Sequence, residues 1–387
     1  MAYTLFTILF LLLLYLPIHS YIVYPISIHF ISKVFKNKTG NNYEPELSII
    51  ISAYNEEKVI EERISNINNL DYDKSKIEVL VGTDCCSDNT LTILDSLKVK
   101  FPWLKVYEFK NRSGKAGVIN ELVKMSTKSI LLFTDANTHF NQDAVKKVVG
   151  NFINNDIGGV SGRLILKKPE DKFEKSNEES FYWNYETFIK ISEGRCGVLI
   201  GANGGIFAIR KELIKPIPTK EAVTDDLFVS LAVLQRNRKF IYEKEAIATE
   251  EISKEVSSEF KRKIRFSATN YQTMHFFPDL IFNKNILLSY AYISHKIIRW
   301  LLPIIFLLII AINIPLANFN LVFKISFWGQ LAFYSLGLIG FFLSKTNIRF
   351  PFLSLPYFFI LTNYALLLGL IKYLKKEHTI IWESTPR

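Results

Sequence analysis

The sequence predicts an α/β protein with a mostly parallel, Rossmann-like sheet in its middle and transmembrane α-helices at both ends. Two observations carry this. Most of the charge in the 387 residues lies between Lys33 and Asn285, and the flanks are largely apolar. Within the charged middle, short runs rich in Ile, Val, Leu and Phe alternate with helix-period stretches, the pattern of strands each followed by a covering helix. The averages (49% hydrophobic, 22% charged, mean hydropathy +0.15) mix the two parts and describe neither. A small soluble domain, a collagen-like chain and a disordered chain are all excluded.

Residues 4–31 contain no Lys, Arg, Asp or Glu. That exceeds the roughly 20 helical residues a bilayer core needs. The start, Met-Ala-Tyr-Thr, lacks the basic opening of a signal peptide, so residues 1–32 read as an anchor bent or tilted near Pro17 or Pro25. Lys33, Lys36 and Lys38 follow at once. The positive-inside rule then places the central region in the cytoplasm and makes the chain a multi-pass protein of the inner membrane. Three further apolar runs, 300–317, 321–343 and 350–371, close the chain, and Lys324 in the second snorkels to the headgroups. Residues 286–299, with His295, Lys296 and Arg299, read as an interfacial helix. The two topology rules then collide. Three crossings after a cytoplasmic domain leave the 375–387 tail outside, yet Lys372, Lys375 and Lys376 favour the inside.

The net charge of +10 raises nucleic acid as a partner in a soluble protein. Here it reads instead as a basic domain held beside anionic lipid, with the bilayer as partner and no nucleic acid. The three cysteines, Cys85, Cys86 and Cys196, form no paired framework and suit a reducing compartment. The aromatic share of 14%, mostly Phe and Tyr, reads as lipid contact and packing. Nothing in the sequence sets an oligomeric state.

The domain expected over 45–275 has strand candidates at 47–53, 77–83, 104–109, 129–134, 159–166 and 205–209, with helices at 56–68, 90–99, 115–125 and 142–152. Such sheets bind ligands outside the carboxyl ends of their strands. After the first strand, Ala53 leads into Tyr54, Asn55 and Glu56, where an aromatic beside an acid can stack on and bond to a base; Asn and Glu are also ordinary helix-start residues. Asp84 ends the second strand, where no cap is needed, while Asp88 is placed to cap the next helix. Gly114-Lys115 at a helix start, with Asn120 beyond, can hold phosphate, although Ala116 rules out a Walker loop. Asp135 and Asn137, two apart after the fourth strand, can share Mg²⁺ or Mn²⁺, or form a polar turn. Gly201, Asn203 and Gly204 allow close approach to the backbone or make a flexible loop. Thr224 reads as a helix cap before Asp225 and Asp226. Successive helical residues diverge by about 100°, so only one of the two acids can face a site fully. The basic run 260–266, with Arg262, Arg265 and Phe266, can be a lipid-facing stripe or clamp a leaving diphosphate.

In this order the motifs resemble the processive-type family 2 glycosyltransferases, the hyaluronan, chitin, cellulose and poly-N-acetylglucosamine synthases, over about residues 47–272. The resemblance implies a GT-A fold, a nucleotide-sugar donor (UDP-sugar favoured), an inverting transfer of a hexosyl or N-acetylhexosaminyl group, and a glycan or lipid-linked acceptor. It implies donor-binding roles for Ala53, Tyr54, Glu56, Asp84, Lys115, Asn120, Asp135, Arg262 and Arg265, and acceptor contacts from Gly201, Asn203, Gly204 and Phe266. Asp135 and Asn137 match its metal motif, and Asp226 its base, with Asp225 beside it. Two positions depart from the pattern. Asn137 replaces the second metal-motif acid, which removes one charge at the metal. The Gln-x-x-Arg-Trp motif has no intact copy, and Phe266 keeps an aromatic face without the indole N–H. That motif accompanies polymer synthesis, so transfer of a single sugar to a membrane lipid, or nucleotide-sugar binding without catalysis, are the competing readings.

Overall fold

The computed structural model describes residues 2–35, 43–167, 177–251, 256–343 and 351–377. Lys36 and Lys38, the first residue of the expected third run and residues 378–387 lie outside the described residues. Helices α1 (Ala2–Ile18) and α2 (Tyr24–Ser32) form one N-terminal rod, joined by a π-helical turn at His19–Val23. The globular part is built on eight strands: β1 (Leu47–Ala53), β2 (Ile77–Asp84), β3 (Leu104–Phe109), β4 (Ile130–Asp135), β5 (His139–Phe140), β6 (Ile157–Lys167), β7 (Phe207–Arg210) and β8 (Lys239–Glu251). They form one sheet in the order β3-β2-β1-β4-β7-β6-β8-β5. The first four strands in sequence are mutually parallel, and β7 turns antiparallel to β4 and β6. The carboxyl ends of β1, β2 and β4 therefore share one edge, which collects the candidate residues.

Between the strands lie α3 (Ile60–Asn68), α4 (Thr90–Lys100), α5 (Gly114–Met125), α6 (Ala144–Gly150), α7 (Asn177–Cys196) and α8 (Asp225–Gln235), followed by α9 (Val256–His275). Strand side chains alternate faces. Ile49 and Ile51 pack with Ile60, Ile64 and Val145 of α3 and α6, while Ile50 packs on the other face with Val118, Leu122 and Leu231 of α5 and α8. Two expectations shift. The helix expected from 56 begins at Ile60, because Asn55 takes a left-handed φ of 54° and Thr90 captures the Glu56 N–H. The sequence reading also missed β8, whose Lys and Glu residues alternate with buried Phe240, Ala246 and Ala248 and hide the strand period.

The chain closes with α10 (Ile286–Ala291), a second π-helical turn (Tyr292–Ile297), α11 (Ile298–Leu316), α12 (Leu321–Leu343) and α13 (Pro351–Leu374). Residues 286–299 run unbroken into α11, giving one apolar rod of 31 residues. Among the described residues, four helices are long and apolar enough to cross a membrane. The α1 half of the N-terminal rod packs on α11 and α12 through Phe10, Leu302 and Phe323. Its α2 half instead enters the globular core, where Tyr24 and Ile28 are fully buried. α13 follows α9 along much of its length. Phe260 stacks on Tyr364, the Ser267 hydroxyl donates to the Leu366 carbonyl at 3.0 Å, and Tyr271 stacks on Tyr373.

Candidate active site

β4 ends on Asp135 and α8 starts on Asp225 and Asp226, opposite the first turn of α5. Lys115 bridges them: its Nζ lies 2.8 Å from Asp135 Oδ1 and 2.8 Å from Asp225 Oδ2. Burial disfavours the ammonium, but the two carboxylates outweigh that and raise its pKa. Asp225 is also pushed up by burial, and Lys115 more than reverses this, leaving it below its ordinary value. Asp226 lacks such a partner. Burial, and then the charge of Asp225, raise it to about 6, against smaller lowering effects of Lys115 and Lys190. The two acids thus sit in unlike charge environments: Lys115 holds Asp225 as an ion, while Asp226 is raised to about 6.

Gly204 sits between them. A methyl group built on it would lie 3.3 Å from Asp226 Oδ2 and 3.9 Å from Asp135 Oδ2. A side chain at position 204 would therefore crowd both carboxylates, and glycine leaves that space open. Gly201 takes a left-handed φ of 94°, and beyond it Ala202 and Gly204 meet Ser230 and Asp226 of α8.

Several predicted residues turn out to be engaged within the protein. The Asp84 oxygens accept the Ser113 and Gly114 N–H groups at 2.8 and 2.9 Å, so the α5 N-terminus expected to hold phosphate already holds a carboxylate. Asp84 thereby fixes the loop that presents Lys115. The face of Tyr54 carries the Arg112 guanidinium, 3.0 Å from the ring centroid. Asn120 donates to and accepts from the Ile217 backbone at 2.8 and 2.9 Å, which makes it a tie between α5 and that loop. The Asn203 amide donates to the Gly162 carbonyl at 2.6 Å, and its oxygen takes Lys190 Nζ. These bonds shape the loop that carries Gly204. Ala53 is buried, and its carbonyl faces Cys86 Sγ. The Thr224 hydroxyl does not cap α8. It bonds Thr269 and Asn270 of α9, both at 2.8 Å, and so draws the basic helix to the site. Asp88 accepts the Thr90 N–H at 3.1 Å from one residue before the cap position, which Asn89 occupies without a side-chain cap bond.

On α9, Arg265 is half-buried within electrostatic reach of Asp225. Phe266 is 40% exposed, with the Arg262 and Arg265 guanidinium groups 5.7 and 5.4 Å from its ring centroid. Glu56 gives its N–H to Thr90 and closes the turn. Asn55 and Ser87 exchange two hydrogen bonds, which locks the loops after β1 and β2 together. In those loops Asn55 and Cys85 hold positive φ, backbone strain of the kind found around ligand sites. All three cysteines are unpaired.

No group of three or more His, Cys, Asp or Glu side chains is gathered for a metal among the described residues. The Asn137 amide donates to Glu250 at 2.8 Å. What remains are hard oxygen donors, one carboxylate and one amide carbonyl, at a position where Lys115 already places a cation against Asp135. This fits a divalent ion only when ligand oxygens complete the shell.

Sequence reasoning missed Lys190, Glu186 and Glu193 on α7, and read His295, Lys296 and Arg299 only as part of an interfacial helix. Glu193 takes the Tyr24 hydroxyl, His295 Nδ1 and the Ile200 N–H at 2.5, 2.6 and 3.0 Å. Glu186 takes Arg299 and, at 3.1 Å, His295 Nε2. Buried carboxylates thus tie both apolar rods to the loop that carries Gly201–Gly204. No local motif announces such pairs.

Part of the chain is similar to known proteins. Residues 48–217 match the family described as Glycosyl transferase family 2. The poly-beta-1,6-N-acetyl-D-glucosamine synthase of Staphylococcus aureus is 23% identical over 231 residues, 59% of this chain and 55% of the relative. The synthase of the same name from Staphylococcus epidermidis is 22% identical over the same span. The chain thus matches about half the length of these curated relatives. Among solved structures, a mannosyltransferase from Pyrobaculum calidifontis in complex with GDP-Man and Mn2+ shares the fold, with a TM-score of 0.70, 19% identity, and cover of 96% of this chain and 100% of that one. The family match runs from β1 to the loop before α8.

Proposed function

We propose that this membrane protein is an inverting glycosyltransferase that moves a sugar from a nucleotide-sugar to a glycan or lipid-linked acceptor. The observation that carries the reading is the pair of unlike carboxylates around Gly204: Asp135 held by Lys115, and Asp226 raised to about 6. The donor diphosphate would lie against Lys115 and Asp135, with Arg265 of α9 adding positive charge as the leaving group forms. The acceptor hydroxyl oxygen attacks C1 from the Asp226 side. As the new C1–O bond forms, its proton passes to Asp226, the bond from C1 to the diphosphate breaks, and the electron pair leaves with the nucleotide. Attack opposite the leaving group inverts C1. A base near neutrality is unprotonated at working pH yet basic enough to take a proton in the transition state.

Asp135 and the Asn137 carbonyl, with diphosphate oxygens, would hold Mg²⁺ or Mn²⁺, whose charge would offset that of the leaving group. The Asp84–Gly114 clasp orients Lys115, and Asn203 orients Gly204. The relatives' name, poly-beta-1,6-N-acetyl-D-glucosamine synthase, favours an N-acetylhexosamine donor and hence a UDP-sugar. The cytoplasmic side of the inner membrane suits such a donor, and Lys33 after the first rod supports that side. The test is a panel of radiolabelled UDP- and GDP-sugars given to the full chain in detergent with Mn²⁺. One donor is expected to be turned over, with loss of activity in EDTA and recovery on adding Mn²⁺ or Mg²⁺. No turnover of any donor, with or without metal, contradicts the reading.

A further inference from the structure

Asp135 and Asn137 lie at the turn between β4 and β5, and α3 holds both ends of that turn. Arg63 of α3 is fully buried. Its Nη2 donates to the Thr134 hydroxyl, just before Asp135, at 3.0 Å, and its Nη1 donates to Asn66 Oδ1 at 2.7 Å. Asn66 in turn grips the far end. Its oxygen accepts the Phe140 N–H and its amide donates to the Phe140 carbonyl, both at 2.9 Å. The Arg63 guanidinium also covers the Phe140 ring, 4.1 Å from the centroid. Arg63 and Asn66 thus form a bracket around the segment that carries Asp135 and Asn137.

A guanidinium in this place is costly. Burial lowers its pKa to about 9 against the raising effect of Asp135, so it stays a cation at neutral pH. Its Nε has no hydrogen-bond partner among the described residues. An apolar side chain would fill the same space at lower cost, so packing alone does not account for arginine here. What an apolar side chain lacks is the rigid fork of donors that reaches Thr134 and Asn66 at once. Lys115 meets the Asp135 carboxylate from α5, while Arg63 pins the chain behind it from α3. A ligand that pulls on Asp135 therefore meets a turn held at both ends. Groups that hold a metal's ligands in this way, without touching the metal, set how tightly it binds.

We propose that Arg63, together with Asn66, is a positioning residue for the donor's metal ion: the bracket fixes residues 135–139 so that Asp135 and Asn137 meet a divalent cation and the nucleotide diphosphate together. This rests on the glycosyltransferase reading and adds the residues that stand behind its metal ligands.

The test uses the full chain in detergent. Mn²⁺ binding is followed by electron paramagnetic resonance with UDP and with GDP, and nucleotide binding is measured separately in EDTA. Both are done for the wild type, Arg63→Met, Arg63→Lys and Asn66→Ala. Arg63→Met is expected to bind Mn²⁺ about tenfold or more weakly beside the nucleotide, with nucleotide binding in EDTA unchanged. Asn66→Ala keeps the guanidinium but frees the Phe140 end. It is expected to lose Mn²⁺ affinity in the same direction, and it carries the test should Arg63→Met not fold. Arg63→Lys keeps the charge and one donor, and is expected to recover part of the loss. Mn²⁺ binding at wild-type strength in folded Arg63→Met or in Asn66→Ala overturns the bracket. So does a loss of nucleotide binding in EDTA as large as the loss of Mn²⁺ binding, which would mark a general packing defect. Arg63→Lys binding Mn²⁺ no better than Arg63→Met overturns it too, since lost packing would explain both. No Mn²⁺ binding by the wild type with either nucleotide counts against the glycosyltransferase reading as well as the bracket. Wild-type Mn²⁺ binding that the variants leave intact counts against the bracket alone.

Discussion

Between Asp135 and Asp225 the Lys115 ammonium offsets two negative charges at once. Its charge also reaches Asp226, where it lowers a pKa that burial and Asp225 have raised. The sign of a substitution follows. In Lys115→Gln the lowering effect is lost, Asp226 titrates above about 6, and the acid limb of the pH–kcat/KM profile moves to higher pH. The plateau falls by about 10²-fold, because charge on the leaving group loses its partner. A profile that keeps its acid limb in place would separate Lys115 from the base. Gly204→Ala puts a methyl group 3.3 Å from Asp226 Oδ2, and turnover is expected to fall about tenfold to hundredfold with little change in thermal unfolding. At this scale the sequence was legible where chemistry sits in one short motif. Asp135, Asp225 and Asp226 were singled out from their neighbours, and the structure gathers them around Lys115 and Gly204. Asp84, Asn120 and Asn203 were singled out as ligand contacts, but their hydrogen bonds go to protein groups far along the chain, which no local pattern reveals.

Elements are tied by buried polar contacts as much as by the apolar faces. Glu78 on β2 accepts the Ser48 hydroxyl of β1 at 2.6 Å, Lys105 of β3 at 2.6 Å and the Thr127 N–H before β4 at 2.6 Å. Burial alone would raise its pKa, but these donors outweigh it and hold the carboxyl at about 2. A carboxyl held below its ordinary value stabilises the fold above that value, and the effect is lost as pH falls towards 2. Glu78→Gln is therefore expected to destabilise at neutral pH by about 1–3 kcal/mol, with a difference from wild type that shrinks on acidification. Chemical denaturation at pH 7 and pH 3 measures both. The parallel strands were legible because their apolar runs are continuous. β8 was not, since one of its faces carries Lys and Glu, and a half-exposed charged strand resembles a loop.

For the whole molecule, we propose that α13 does not cross the bilayer, which would resolve the conflict over the tail. α13 is long and apolar enough to cross a bilayer, yet it lies along α9, from Phe260–Tyr364 to Tyr271–Tyr373. Ser267 of α9 is pressed against it, since a methyl group on Gly369 would come within 2.3 Å of the Ser267 side chain. A helix that flanks a domain helix to its last turn ends on the domain's side. Three crossings, by α1, α11 and α12, then agree with Lys372, Lys375 and Lys376 in placing the tail beside the domain. Cysteine labelling in sealed vesicles checks this. Lys375→Cys is expected to react from the same side as the exposed Cys85, and Phe319→Cys from the opposite side. Composition cannot separate a crossing helix from one lying on its own protein, because both bury an apolar surface.

The central claim is that Asp226 takes the acceptor proton. Its most direct test is single-turnover sugar transfer by the full chain and by Asp226→Asn, with donor binding measured on the same samples. The account predicts that Asp226→Asn binds donor but transfers about 10²–10⁴-fold more slowly. Transfer at the wild-type rate by Asp226→Asn with donor bound would contradict it.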